Sequence, residues 1–316
     1  MATNNTVTSN YVGKVDPSYI TKALLASDTL NQNLVKVVPG LKEAGITLRR
    51  LDASNIFQDD SCTFSPTGDI TLDFRKLVGK KLKVNLEICF SDFEASWEAE
   101  QMGDSAFDNV PQEYVSALLM HVAELAAEKN EQMIWNGTDT AGSFEGFLTK
   151  LSNDGLVPAA QNIAGTTLTA DNIFAEIGKM DAVIPEEVDE FGPNFFYVIS
   201  KRAAKAYMTA QAGFQTGGLG GAGYANQGFV GAKELNYLGT PMYVARGLTA
   251  NQMIAYERDN LVFGTGILPD WSEVKTIDMR EVNGDDTLRV IMKVYAGVQY
   301  GWPEEIVMYG APTPES

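Results

Sequence analysis

The chain has 316 residues, is 45% hydrophobic and carries a formal net charge of −17. This length allows one large domain or two modest ones, each with a real core. The acidic balance excludes the basic footprint of a protein that grips nucleic acid or an anionic membrane, and no apolar run reaches the roughly 18 residues of a membrane-spanning helix.

Residues 1–15 form a polar arm without periodicity or the charged-then-apolar order of a secretory signal. The sequons at Asn4 and Asn136 therefore carry no glycosylation reading. Asp16-Pro17 reads as an N-cap followed by proline at the first helical position. Ile20, Leu24, Leu25, Leu30 and Leu34 predict a short amphipathic helix that Pro39-Gly40 ends. From residue 44 to 90 the period changes to two. Ile70, Leu72 and Phe74 alternate with polar residues, and so do Leu82, Val84, Leu86, Ile88 and Phe90. Pro66 to Asp69 and Val78-Gly79-Lys80 supply turns in this long β excursion.

Between Pro111 and Trp135 the period becomes 3.6. Val115, Leu118, Leu119, Val122, Leu125, Ala126, Met133 and Ile134 make one stripe. The predicted helix is about 35 Å long, a structural strut. The phrase Asn136-Gly137-Thr138, with Gly142 and Gly146 beyond it, ends this helix. A helix C-terminus repels anions, so this is a poor phosphate cradle. Gly137 is expected to take the left-handed cap conformation, and Gly142 and Gly146 to turn the chain onward. Further on, Thr169 or Asp171 caps a helix carrying Ile173, Ile177, Met180 and Val183. Phe195 to Ile199 reads as a buried strand, and Ser200 caps a helix through Gln211. The glycine-rich stretch 213–231 suits neither helix nor strand. Short strands are predicted at 241–245, 252–256 and 261–263, then a long one at 288–300 and a last at 306–309.

Little of this composition supports catalysis. Gly218 to Gly223 matches G-x-G-x-x-G, but a helix precedes it and poor helix sequence follows, the reverse of a dinucleotide site. His121 is the only histidine, which removes most zinc sites and most Ser-His or Cys-His mechanisms. Cys62 and Cys89 form no CxxC and read as reduced thiols. Asp59-Asp60 and Asp285-Asp286 fit turns better than metal or acid–base sites. No cofactor, metal or catalytic residue is expected.

Charge segregation is more informative. No Lys or Arg occurs between Lys83 and Lys129, a stretch that holds Glu94, Glu98, Glu100 and Asp104. The preceding β excursion carries Arg49, Arg50, Arg75, Lys76, Lys80, Lys81 and Lys83. These are two solvated faces, or the basic excursion of one copy lies across the acidic stretch of another. Charge matching of that kind sets register and partner choice.

The order of parts is polar arm, basic β excursion, long helix, glycine turn, mixed α/β region and long strand. With the phrases ITLDFRKLVGKKLKVNLEICFSDFE, LAAEKNEQMIWNGTDTAGSFEGFL and NYLGTPMYVARGL…MIAYERDNLVFGTG, it resembles the major capsid proteins of tailed bacteriophages with the Hong Kong 97-like fold. The resemblance implies an α+β fold in five parts. These are an N-terminal arm and short helix (1–43), an extended β loop and its return (44–90), a peripheral domain with a spine helix (91–150), an axial domain (151–271), and return strands with a tail (272–316). It implies a non-enzymatic chain that assembles as hexamers and pentamers into an icosahedral shell enclosing phage DNA without gripping it. Portal, scaffold and decoration proteins are the further partners, and the place is the virion capsid, assembled in the host bacterial cytoplasm. No membrane partner is implied. The arm shows no scaffolding segment, and no Lys–Asn crosslinking set can be matched. A bacterial nanocompartment shell shares the fold and is the alternative; an acidic-site hydrolase or nucleotide-binding enzyme is a remote one.

Overall fold

A computed structural model describes residues 28–41, 45–54, 57, 69–89, 125–216, 235–266, 274–279, 285 and 287–312. The features at Asp16-Pro17, Asp59-Asp60, Cys62, Glu94, Glu98, Glu100, Asp104, His121 and Gly218–Gly223 lie outside these residues.

The described chain opens with α1 (Asp28–Asn31) and β1 (Lys36–Val38). The helix predicted to run to Pro39 thus stops early. Asn33 takes a left-handed backbone, φ 51°, which breaks the helix. Lys36-Val37-Val38 then pairs in parallel with a strand much later in the chain, where β-branched side chains suit the pleat. Strands β2 (Ile46–Ser54), β3 (Asp69–Leu77) and β4 (Lys80–Cys89) occupy the predicted β excursion.

Helix α2 (125–136) is the described end of the long predicted helix. After it come α3 (Phe147–Asp154), β5 (Asn162–Ile163), α4 (Ile173–Asp181), β6 (Phe195–Ile199) and α5 (Lys201–Thr216). The N-cap of α4 is Asn172, not Thr169 or Asp171. Thr169 instead closes the preceding turn, its carbonyl accepting from the backbone N–H of Asn172 and Ile173. Ser200 caps α5 as expected, its Oγ accepting from Ala203 N–H at 3.3 Å. That helix continues to Thr216, past Gln211 and into the first residues of the glycine-rich stretch. The strands that follow are β7 (Leu235–Tyr237), β8 (Thr240–Val244), β9 (Met253–Glu257), β10 (Leu261–Thr265), β11 (Val274–Asp278), β12 (Thr287–Tyr300) and β13 (Val307–Tyr309).

Two sheets and a hairpin organise these elements. In the five-stranded sheet, β12 pairs with β4 along one edge and with β11 and then β10 along the other. β1 adds to β10. The six-stranded sheet has the order β5-β13-β9-β6-β8-β7. β2 and β3 form a separate antiparallel hairpin.

All of β6 is buried, which explains its unbroken apolar run. Phe195, Tyr197 and Ile199 pack with Ile173, Ile177, Met180 and Tyr207 beneath α4 and α5. Phe196 and Val198 point the other way, into a second core with Trp135, Phe147, Phe263, Val298 and Tyr300. This second core joins both sheets to α2 and α3.

Candidate functional site

The β2–β3 hairpin is fixed at its base. Leu77 is fully buried with Leu41 and Val262, and Ile46 and Leu48 pack against them. Gln299 donates its side-chain N–H to the Lys76 carbonyl at 2.9 Å, tying β3 to the end of β12. Two arginines on one hairpin face then stack on aromatic rings. The Arg50 guanidinium carbon lies 4.6 Å from the Trp302 ring centroid, and its Nη1 donates to the Gly301 carbonyl at 3.0 Å. Arg50 also pairs with Asp73 across the hairpin. Arg75 lies 4.2 Å from the Tyr300 ring centroid and 3.5 Å from the Asp154 carboxylate. Tyr300 in turn donates to Asp154 at 2.6 Å. Burial, with that bond, holds the Tyr300 hydroxyl well above its ordinary pKa. Each arginine–ring contact is worth about 0.5–2 kcal/mol.

The turn bearing Trp302 is organised by one buried residue. Asn260 Oδ1 accepts from the backbone N–H of Gly301 at 3.1 Å and of Trp302 at 2.6 Å, and its Nδ2 donates to the Trp302 carbonyl at 2.8 Å. Asn260 therefore sets the ring on which Arg50 rests. Sequence reading did not find this anchor, because the two arginines and the two aromatics lie more than two hundred residues apart.

The opposite hairpin face is uncovered in the subunit. Leu51 and Leu72 face each other across the strands, flanked by Ile70 and Phe74. They are 65%, 75%, 71% and 68% exposed respectively. Arg49, opposite Phe74, and Lys76 are exposed on the same face. The hairpin thus presents an apolar strip with a basic rim, far from the usual pattern of scattered single surface hydrophobics.

Of the predicted basic residues, Arg50, Arg75, Lys80 and Lys81 have partners within the subunit. Lys80 Nζ donates to Asp139 at 2.8 Å and to the Thr140 carbonyl at 2.6 Å, which links β4 to the turn after α2. Arg49, Lys76, Lys81 and Lys83 are exposed. Lys83 stands opposite Lys293 in the β4–β12 register. The acidic candidates Glu94, Glu98, Glu100 and Asp104 are outside the described residues.

The turn after α2 is a crossing of backbones. Gly137 is not left-handed, contrary to expectation; the left-handed residue here is Gly142, φ 83°. Gly137 is needed for space instead. A Cβ on it would sit 2.1 Å from the Phe144 carbonyl oxygen. A Cβ on Gly146 would meet the Gly137 nitrogen and the Met133 carbonyl oxygen, each at 2.6 Å. Asn136 stitches this crossing to the loop before β9. Its Nδ2 donates to the Gly247 carbonyl at 2.8 Å, and its Oδ1 accepts from Gln252 at 2.8 Å.

Close by, α1 is latched to α2. Thr29 Oγ1 donates to the buried Glu131 carboxylate at 2.5 Å and accepts from the Trp135 indole N–H at 2.7 Å. Asp28 pairs with Arg246 at 2.9 Å. Among the described residues no group of His, Cys, Asp and Glu is arranged to hold a metal ion.

No protein-family model matches the chain, and no curated protein does. Solved structures do match it at low identity. The satellite phage P4 procapsid chain superposes with a TM-score of 0.58 at 10% identity, covering 96% of this chain and 93% of that one. A chain from Gordonia phage Cozz gives 0.55 at 15% identity, covering 90% and 86%. The capsid of an empty GTA particle gives 0.53 at 14% identity, covering 98% and 94%. The chain has the α+β Hong Kong 97-like fold of these structures.

Proposed function

We propose that this chain is the major capsid protein of a tailed bacteriophage, a structural, non-enzymatic subunit that assembles into the icosahedral shell around the genome. The carrying observation is the fold, shared with capsid structures over nearly the full length of both chains. Its parts are the arm (1–43), extended loop (44–90), peripheral domain (91–150), axial domain (151–271) and return strands (272–316). In this reading β13, from the return strands, completes the axial sheet.

The hairpin supplies the physical rationale. Its apolar strip is exposed in one subunit, and its base is anchored so that the strip is held at a set angle. In the shell the strip and its basic rim, Arg49 and Lys76, lie over a neighbouring copy. Lys81 and Lys83 extend the positive surface towards the acidic stretch at Glu94, Glu98, Glu100 and Asp104. Arg50, Arg75 and Lys80 serve the subunit's own geometry. Exposed ion pairs contribute under about 1 kcal/mol each, so packing supplies the affinity and charge the register. The net charge of −17 suits a container that does not grip its DNA.

Negative-stain microscopy of the purified chain is the test. Large uniform shells are expected; small particles at all concentrations refute the proposal. Nucleic acid inside shells from an infected host fits the phage reading, whereas an enclosed enzyme identifies a nanocompartment. Replacing residues 51–72 by a short Gly/Ser linker keeps the buried base at Leu77 and all of β4. Folded subunits that no longer close into shells are expected. Normal shells from this variant would refute the hairpin's role.

A further inference from the structure

The six-stranded sheet has two ends of opposite chemistry. The loop entering β6 carries Glu186, Glu187 and Asp189, all exposed, and Phe191, which is 73% exposed. The β7–β8 turn lies at the same end, because Thr240 Oγ1 donates to the Glu190 carbonyl at 3.1 Å. That turn carries Leu238, 72% exposed and left-handed at φ 49°. A two-residue hairpin turn calls for Asn, Asp or Gly here, and a leucine costs about 1–2 kcal/mol. An apolar side chain at a strained, solvent-facing tip gains nothing within the subunit.

The far end of β6 runs directly into α5, whose first turns bear Lys201, Arg202 and Lys205, all exposed. No acidic residue lies in the first turn of this helix. Cations at the positive end of a helix dipole are the unfavourable arrangement. None of these acidic or basic side chains has an ion-pair partner among the described residues. Lys201, Lys205 and Met208 share one helical stripe at i, i+4 and i+7, and Met208 is 40% exposed. The two ends therefore carry like charges of opposite sign, and Phe191 and Leu238 leave apolar side chains uncovered at the acidic one; Met208 lies further along α5, which runs back towards that end, its Tyr207 donating to the Asn236 carbonyl at 2.6 Å.

One subunit cannot join its own ends, since the five residues of β6 hold them roughly 16 Å apart. Copies related by a rotation can. We infer that the acidic end of one copy, through Glu186, Glu187, Phe191 and Leu238, docks on the Lys201–Lys205 face of the next copy around a ring. This is a heterologous contact, the kind that closes into rings. It rests on the shell reading above and names the surfaces that would build its capsomers.

The test is a charge swap in the full chain. Lys201→Glu with Lys205→Glu, and separately Glu186→Lys with Glu187→Lys, change exposed side chains, so the subunit melts no lower than wild type, and Glu at position 201 raises the melt slightly by suiting the helix N-terminus. Each pair is expected to lower the assembled fraction, read by sedimentation, about tenfold or more. The chain carrying all four changes is expected to recover assembly. Leu238→Asn gives a second readout: Asn tolerates the left-handed turn, so the subunit melts higher while assembly weakens. Shells of normal yield from both reversed pairs overturn the contact and leave the shell reading intact. So does a fourfold variant no better than either pair. A wild type that stays monomeric overturns the shell reading and this contact together.

Discussion

Replacing Leu72 by serine tests the hairpin strip most directly. Leu72 is three-quarters exposed in the subunit and faces Leu51 across the strands. The substitution removes little that the subunit itself uses, so its melting temperature should move by less than about a degree or two. On the proposed reading, a neighbouring copy covers the same side chain in the shell. Fully burying a leucine is worth about 1.5–3 kcal/mol, and the part still exposed here scales that to roughly 1–2 kcal/mol per contact. That corresponds to a factor of about 5–30 in each subunit's association constant. Light scattering against protein concentration reads the assembly threshold. Leu72→Ser should raise it by about that factor, and Leu51→Ser with Leu72→Ser should raise it further. An unchanged threshold with an unchanged melt would show that the strip is not part of any contact and refute the reasoning.

Three other outcomes follow from the subunit's interior. Arg75→Ala removes the stacking on Tyr300 and the pairing with Asp154; a loss of about 0.5–2 kcal/mol is expected from chemical denaturation. Thr29→Val leaves the Glu131 carboxylate and the Trp135 indole N–H short of a partner in a buried site, and calorimetry should show about 1–3 kcal/mol of destabilisation. Burial raises the hydroxyl pKa values of Tyr197, Tyr256 and Tyr300 above the ordinary 10.0. The folded chain then keeps protons that the unfolded chain has lost, so stability is full below about pH 10 and falls as the pH rises beyond it. Melting curves across that range should show the decline, and Tyr197→Phe should make it shallower.

Local periodicity carried much of the architecture. The alternation at Ile70–Phe74 and Leu82–Ile88 reads directly as strands, because successive side chains of a strand point to opposite faces. β6 was legible as a short apolar run bounded by a serine cap. What failed to show in the sequence depends on distant partners. Lys36-Val37-Val38 is a strand only because β10, more than two hundred residues later, offers an edge. Gly137 looked like a left-handed cap because glycine after a helix usually is one; here its small size lets the Phe144 backbone pass. In sequence the basic excursion looks like one surface. Stacking on Tyr300 and Trp302 takes Arg50 and Arg75 out of it, and neither ring could be placed beside them from spacing alone.

The position of the last strands bears on how the chain reaches its folded form. β12 is the central strand of one sheet, and β13 sits between β5 and β9 in the other. Both come from residues 287–309, near the end of the 316-residue sequence. Neither sheet can be completed until those residues have left the ribosome, and such long-range pairing is slow. A nascent chain therefore lacks finished surfaces until residues 287–309 have emerged. Chains terminated before these residues would lack the central strand of one sheet and an inner strand of the other, and so could not be built into a growing particle in place of intact ones.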